Sequence, residues 1–363
     1  MDLKNVYKKI KPLCLDDTGS LIAARGNNVF SLKPCETRTS LFRFTETKFN
    51  RFFSFFSLYF RLKRLGVMTA IRSGNDCFFT YGRKIYRYNL QDKRLLSEFS
   101  FTQGRGPLKF CEISGVSGFS DSMCFGEYFG NHKRKPIKIF QRKNDGVWLS
   151  PFEFNDGEIN HIHALVPDVI NKCVWILVGD FEHSAAIYMA TNDFSKIELI
   201  VSGKQCYRAC VGFPVAGGLL YATDTQIETN SIRLLSKKLG KWESDKLFDI
   251  NGSCIYGTEL KDFYVFSTST EPSEKERSFF KRLFDNKPAP GIIENQSDII
   301  SIRKLDFNHN IVVSKRKDIW PYRLFQFGTI MFPLNSEKTN ILYAYNVGSV
   351  TNDLSTECYD LSE

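Results

Sequence analysis

The chain has 363 residues, of which 42% are hydrophobic and 14% aromatic, and its formal net charge is +9 from 49 basic and 40 acidic side chains. That length suits one large all-β repeat domain, and the 33 Phe suit strands better than helices. No window reaches the roughly 18 apolar residues of a membrane span, and the opening MDLKNVYKKIKPL lacks the apolar stretch of a secretory signal.

The mild positive balance, without a long run of one sign, favours an anionic partner only weakly. Ten cysteines stand at positions 14, 35, 77, 111, 124, 173, 206, 210, 254 and 358, with no CxxC pair. Cys77, Cys124 and Cys173 fall inside apolar runs, where a free thiol behaves as a small buried hydrophobe. Scattered thiols without a signal sequence place the expected compartment in the reducing cytoplasm.

Along the chain one pattern recurs. A short apolar run ends on a small or polar residue, and a second run then closes on a polar turn. The copies begin at 20, 77, 123, 173, 218, 263 and 329, with near-constant spacing in the middle of the chain. A repeat of this length matches the four-stranded blade of a β-propeller. Helical solenoids require apolar residues at i, i+3 and i+4, which these segments lack. The expected fold is therefore all-β: a single propeller domain over 1–363 with seven blades, or six if 20–32 is only a closing strand. Two insertions interrupt the repeat. One is 41–66, with a short helix near 48–64; the other is the polar, Pro-bearing loop 271–297.

Three turns sit at one point of the repeat: RKNDGVW (142–148), Thr191-Asn-Asp193 and SKKLGKW (236–242). They resemble degenerate Asp-box turns of sialidase-like propellers, which stabilise the outer hairpin of a blade. The resemblance implies fold only, because the arginine triad, Asp and Tyr–Glu pair of sialidases have no counterpart. GEYFGN (126–131), HIHALVPD (161–168), VWILVGD (174–180) and YATDT (221–225) look like uncharacterised bacterial propeller proteins encoded among surface-polysaccharide genes. That likeness implies a glycan context and brings no catalytic residues.

In a propeller, the loops joining second to third strands lie on the face where the innermost strands begin. The polar residues at those points are Glu127, His161, His163, Asp180 and Arg208 as the catalytic set, with Tyr128, Asn131, Asp224, Asn230, Tyr256 and Arg323 as substrate contacts. Spacing of two on a strand puts His161 and His163 on one face. With His183 in the next loop they are the candidate ligands of a divalent metal. A β-propeller lyase family acting on oligogalacturonate offers a precedent of fold for histidines holding a metal. Glu127 with Asp180 or Asp224 would serve as paired carboxylates in glycoside hydrolysis. Arg208 and Arg323 would clamp a carboxylate or phosphate, and the tyrosines would stack on sugars. The alternative role for all of them is packing and hydrogen bonding between blades. No Walker loop, dinucleotide fingerprint, HExxH helix or serine elbow is present.

The segment FFSFFSLYFRLKR (52–64) is the other unusual stretch. At helical spacing Ser54, Ser57, Arg61 and Arg64 form one polar stripe on an otherwise apolar surface. It would pack on a blade edge, bind a partner, or lie with its basic end on an anionic membrane.

Two readings follow. One is a cytoplasmic or membrane-peripheral enzyme of surface-polysaccharide metabolism, with glycosidase-, lyase- or glycosyl-transfer-like activity on a glycan or sugar nucleotide. The other is a non-catalytic propeller that binds glycan or docks assembly enzymes through 50–64. Nucleic acid is not expected, since the Gly-His and Trp-Asp marks of WD40 scaffolds are missing.

Overall fold

The computed structural model describes residues 2–33, 38–180, 184–273 and 283–362. The chain is a seven-bladed β-propeller. Each of its seven sheets has four antiparallel strands, and six of them use consecutive strands in chain order. The blades fall into two compact units, one of Met1–Arg72, Gln226–Thr229 and Asn251–Glu363, the other of Ser73–Thr225 and Asn230–Ile250.

The second unit carries blades 2 to 5. Blade 3 runs through Cys111–Ile113, Ser122–Gly126, Ile137–Arg142 and Trp148–Phe154. Blade 4 runs through Ile162–Asp168, Cys173–Val178, Ala186–Thr191 and Lys196–Ser202. Blade 5 runs through Ala209–Val215, Gly218–Thr223, Asn230–Lys238 and Lys241–Ile250. The apolar runs that mark the repeat are second strands. Cys173–Val178 is buried at every position, because a central strand is covered on both faces. The outer strand Lys196–Ser202 mixes exposed and buried positions, as a sheet edge requires. Side chains of neighbouring blades fill the space between sheets. Ile113, Ile139 and Phe154 of blade 3 pack with Val174, Ile176 and Tyr188 of blade 4. On the other face of blade 4, Trp175 and Leu177 pack with Leu219 and Tyr221 of blade 5. Cys77, Cys124 and Cys173 are buried free thiols, as their apolar settings predicted.

The first unit carries blades 1, 6 and 7. Blade 7 corrects the phasing of the last repeat. Its inner strand is Thr329–Met331, its second strand is Ile341–Val347, and its outermost strand is Asp2–Tyr7, paired with Ser355–Asp360. The run at 329 is thus a first strand, not a second. Only three strands of this blade come from the C-terminal end, and the N-terminal strand completes the sheet. Pro321–Arg323 does not begin an inner strand either; Tyr322–Phe325 is a short helix, here α3. The insertion 271–297 joins the second and third strands of blade 6, Phe263–Thr268 and Gln296–Arg303.

The expected helix near 48–64 is two helices, α1 (Lys48–Phe53) and α2 (Ser57–Lys63). The proposed polar stripe does not survive this break. Arg61 is 1% exposed and donates to Asp318, Asp353 and the carbonyls of Phe325 and Gln326. It ties α2 to blade 7 and is no part of a solvent-facing cationic edge. Among the described residues no helix is long and apolar enough to cross a membrane.

Candidate functional site

The inner strands of blades 4, 5 and 6 are irregular in the same way near their starts. In blade 4 the register slips between Ile162 and Ala164, and in blade 5 between Ala209 and Val211. Blade 6 repeats the slip between Cys254 and Tyr256. The extra residues are His163, Cys210 and Ile255. Such bulges re-aim a side chain relative to the regular pleat. His161 and His163 therefore meet through a bulge, with His161 just ahead of the strand, and not through simple alternation along it.

Two glycines make room for this arrangement. Gly126 ends the second strand of blade 3, and a Cβ there would lie 2.4 Å from Ile162 Cγ2. Gly179 has φ +121°, and a Cβ there would lie 2.1 Å from the Ser184 carbonyl oxygen. Only glycine allows the chain to turn there and present Asp180.

The two imidazoles face each other through Nε2 atoms 2.9 Å apart. His161 Nδ1 lies 3.2 Å from the Phe129 carbonyl oxygen, and His163 Nδ1 lies 2.9 Å from that of Ala209. A carbonyl oxygen only accepts, so both Nδ1 atoms carry the proton and donate it. In the neutral rings both Nε2 atoms are then bare lone pairs. Asp180 Oδ1 adds a third electron-rich atom, 3.4 Å from His161 Nε2 and 3.8 Å from His163 Nε2. Three electron-rich atoms converge on one spot, a set that either a proton on one Nε2 or a metal cation would satisfy.

Burial pushes His163 down to about pKa 4, so it resists carrying that charge as a proton. Burial alone would raise the Asp180 carboxyl. When the histidine pair carries a proton, hydrogen bonding and charge from its rings outweigh burial and hold Asp180 far below the ordinary carboxylate range. Asp180 is fixed on every side. Asn160 donates to its Oδ2 at 3.0 Å, and Arg134 in turn holds Asn160. Gln205 and Arg208 both donate to its backbone carbonyl at 3.1 Å. The buried Arg208 guanidinium stands between two carboxylates, 3.5 Å from Asp180 Oδ1 and 3.6 Å from Asp224 Oδ2.

A second trio, His163, Cys210 and Asp224, also brings its ligand atoms within 4.8 Å of one another. It is already satisfied as a hydrogen bond, because the Cys210 thiol donates to Asp224 Oδ2 at 3.2 Å. Burial raises that thiol well above its ordinary pKa, and a metal needs the thiolate. The metal-ready set is thus His161, His163 and Asp180.

Beside it lies a cavity of about 430 Å³, with Phe101, Glu127, Tyr128, Phe129, Lys135 and Lys138 in its wall. Tyr128 belongs to both places, since its ring meets the His161 ring edge-on at 4.6 Å between centroids. The Glu127 carboxylate accepts the Lys138 amide at 2.8 Å, and burial raises its pKa. Among the described residues no hydrogen bond or ion pair joins that carboxylate to the histidines. Asn131 spends its side-chain amide on Lys135, closing its own loop. Asn230 does the same for the loop at Thr225. Tyr256 lies in blade 6 and Arg323 in α3, both in the first unit. His183 lies outside the described residues. Asn160, Cys210 and the carbonyls of Phe129 and Ala209 were not singled out from the sequence. Carbonyls leave no trace in side-chain identity, whereas Asn160 beside His161 was a readable polar neighbour.

No family model matches the chain, and no curated protein matches it. Solved structures do resemble it. An oligogalacturonate lyase from Vibrio parahaemolyticus superposes at TM-score 0.61 with 11% identity, over 99% of this chain and 92% of that one. An oligogalacturonate lyase in complex with manganese gives 0.56 and 10%, over 97% and 89%. A chain from the mitotic checkpoint complex gives 0.56 and 8%, over 100% and 95%. Identities this low establish one thing, that the chain shares the β-propeller fold along its whole length with proteins of different roles.

Proposed function

We propose that the chain is a carbohydrate-active propeller whose His161, His163 and Asp180 hold a first-row divalent cation, and that it works as a lyase on an acidic sugar chain. One observation carries the reading: two buried imidazoles with their Nδ1 protons pinned to carbonyls and their Nε2 lone pairs aimed at each other. Metal-binding histidines are oriented in this way, with the second ring nitrogen donating to a carbonyl or carboxylate. The 2.9 Å separation also suits adjacent ligands about 2.05 Å from one ion.

A divalent ion at this point would draw charge from a sugar carboxylate and ease loss of the neighbouring carbon-bound proton. The chain's own groups divide the remaining work. Asn160 and Arg208 hold Asp180 in place. Tyr128 joins the cluster to the cavity, whose volume suits one or two sugar units. Lys135 and Lys138 attract an anionic sugar. Glu127, with its raised pKa, is suited to exchange a proton inside that cavity. The likeness to a manganese-bound oligogalacturonate lyase supports metal and uronate chemistry on this fold.

The test is elemental analysis of the purified protein, followed by an assay on oligogalacturonate that reads the ultraviolet absorbance of the unsaturated product. Bound metal with chelator-sensitive turnover is the expected result. Bound metal without turnover on acidic glycans would leave a glycan-binding propeller. Absence of metal, with the histidine pair titrating as one shared proton, would overturn the metal site.

A further inference from the structure

The first unit carries a second cavity, of about 340 Å³, under the helical insertion. Lys9, Lys11, Arg25, Arg43 and Arg51 line it, and among the described residues no carboxylate does. Residues 38–66 hold seven basic side chains and one acidic one. Among the described residues Arg43 and Arg51 make no ion pair, unlike Arg61 with its two aspartates. Lys11 Nζ donates to the carbonyls of Val67 and Met68 at 2.9 and 2.8 Å, which leaves a third N–H of the ammonium. Burial brings its pKa down to about 8, so an arriving anion would relieve a real strain on that charge.

Exposed aromatic side chains adjoin the cavity's lining residues Arg51 and Phe55. Phe55 lines the cavity and is 68% exposed; Phe49, Phe52 and Phe56 are each 60% exposed or more. Four large aromatic side chains left open beside a cationic hollow form the two halves of an amphiphile's binding face. A free anion would use the hollow and leave the phenylalanines unexplained. We infer that this face seats the phosphate-bearing headgroup of an anionic membrane lipid, with Phe49, Phe52, Phe55 and Phe56 entering the acyl boundary. Short amphipathic helices with basic flanks bind bilayers in this way, through apolar burial combined with attraction to anionic lipid. The inference concerns a different unit of the chain from the metal cluster and does not rest on it.

Flotation with phosphatidylcholine vesicles, with and without phosphatidic acid, tests it, with a parallel titration by inorganic phosphate. The full chain should float with the anionic vesicles and not with the neutral ones. Arg43→Gln with Arg51→Gln should weaken that binding on the order of 20-fold, since each cation near the surface contributes about a factor of five. Phe52→Ser with Phe56→Ser should release the protein, and neither pair should shift the melting temperature, because all four side chains are exposed. If the arginine pair fails to fold, the salt dependence of the unmodified protein replaces it, and binding that survives high salt unchanged counts against the inference. Failure to float, equal flotation on neutral vesicles, or saturable phosphate binding without vesicle binding would each overturn it.

Discussion

His161 and His163 stand with Nε2 atoms 2.9 Å apart while their Nδ1 atoms donate to the carbonyls of Phe129, in the loop after blade 3's second strand, and Ala209, in blade 5. Two residues at the start of one inner strand, separated by Ile162, are thus locked by the blades on either side. Neither ring can flip to offer N–H where it now offers a lone pair without losing a buried hydrogen bond. That costs about 1–3 kcal/mol per unpaired group, and the arrangement resists it.

The Asn160 side chain holds Asp180 and, among the described residues, makes no hydrogen bond to either histidine ring. Asn160→Ala should leave the fold intact and weaken metal binding about 10- to 100-fold, the usual effect of removing a group that orients a ligand. A metal titration followed by calorimetry reads it. Unchanged affinity would show that Asp180 is held well enough by Gln205 and Arg208 alone.

Stability should fall in mild acid. An unfolded histidine titrates near 6.5, whereas burial depresses His163 to about 4. The folded state therefore binds fewer protons between these values, and its stability declines as pH drops from about 6.5 to about 4, then levels off for this group. The full span is on the order of 3 kcal/mol. The groups around His163 are His161, Asp180 and Arg208, with Cys210 and Asp224 close by. In His163→Asn this part of the pH profile should flatten, as followed by chemical denaturation at a series of pH values. A profile identical to the unmodified protein would assign the acid loss elsewhere.

Glu127→Gln should separate chemistry from stability. Glutamine keeps an oxygen to accept the Lys138 amide, and burial already disfavours the charged form of Glu127. The melting temperature should stay within about 2 °C. Turnover on an acidic glycan should drop by about 100-fold or more if Glu127 moves a proton. Retained turnover would remove Glu127 from the reaction.

Arg61→Met tests the anchor of the helical insertion. Removal of the guanidinium leaves Asp318 and Asp353 without their shared partner, a change that costs about 3–5 kcal/mol when a buried pair is broken. Arg61→Lys should recover only part, because a single ammonium cannot reach two carboxylates and two carbonyls with one planar fork. Thermal unfolding decides it; a loss below about 1 kcal/mol would mean that α2 is held by packing alone.

Periodicity alone determined most of the architecture. Second strands are covered on both faces, so they must be apolar throughout, and Cys173–Val178 and Gly218–Thr223 announce themselves in any reading of the chain. Their spacing yields the blades, and the loops after them yield Asp180 and Asp224. The sequence could not place the last blade's phase, because its fourth strand comes from Asp2–Tyr7 at the other end of the chain. It could not reveal the bulge at His163, which depends on register with Cys173–Val178, nor the carbonyls that set the histidine tautomers. Arg61 shows the same limit in another form. A helical wheel sees only its own helix and put Arg61 on a polar stripe; two aspartates more than 250 residues away decided that it is buried. Local pattern reports how much of a side chain must leave water, and only the packed blades decide what it meets there.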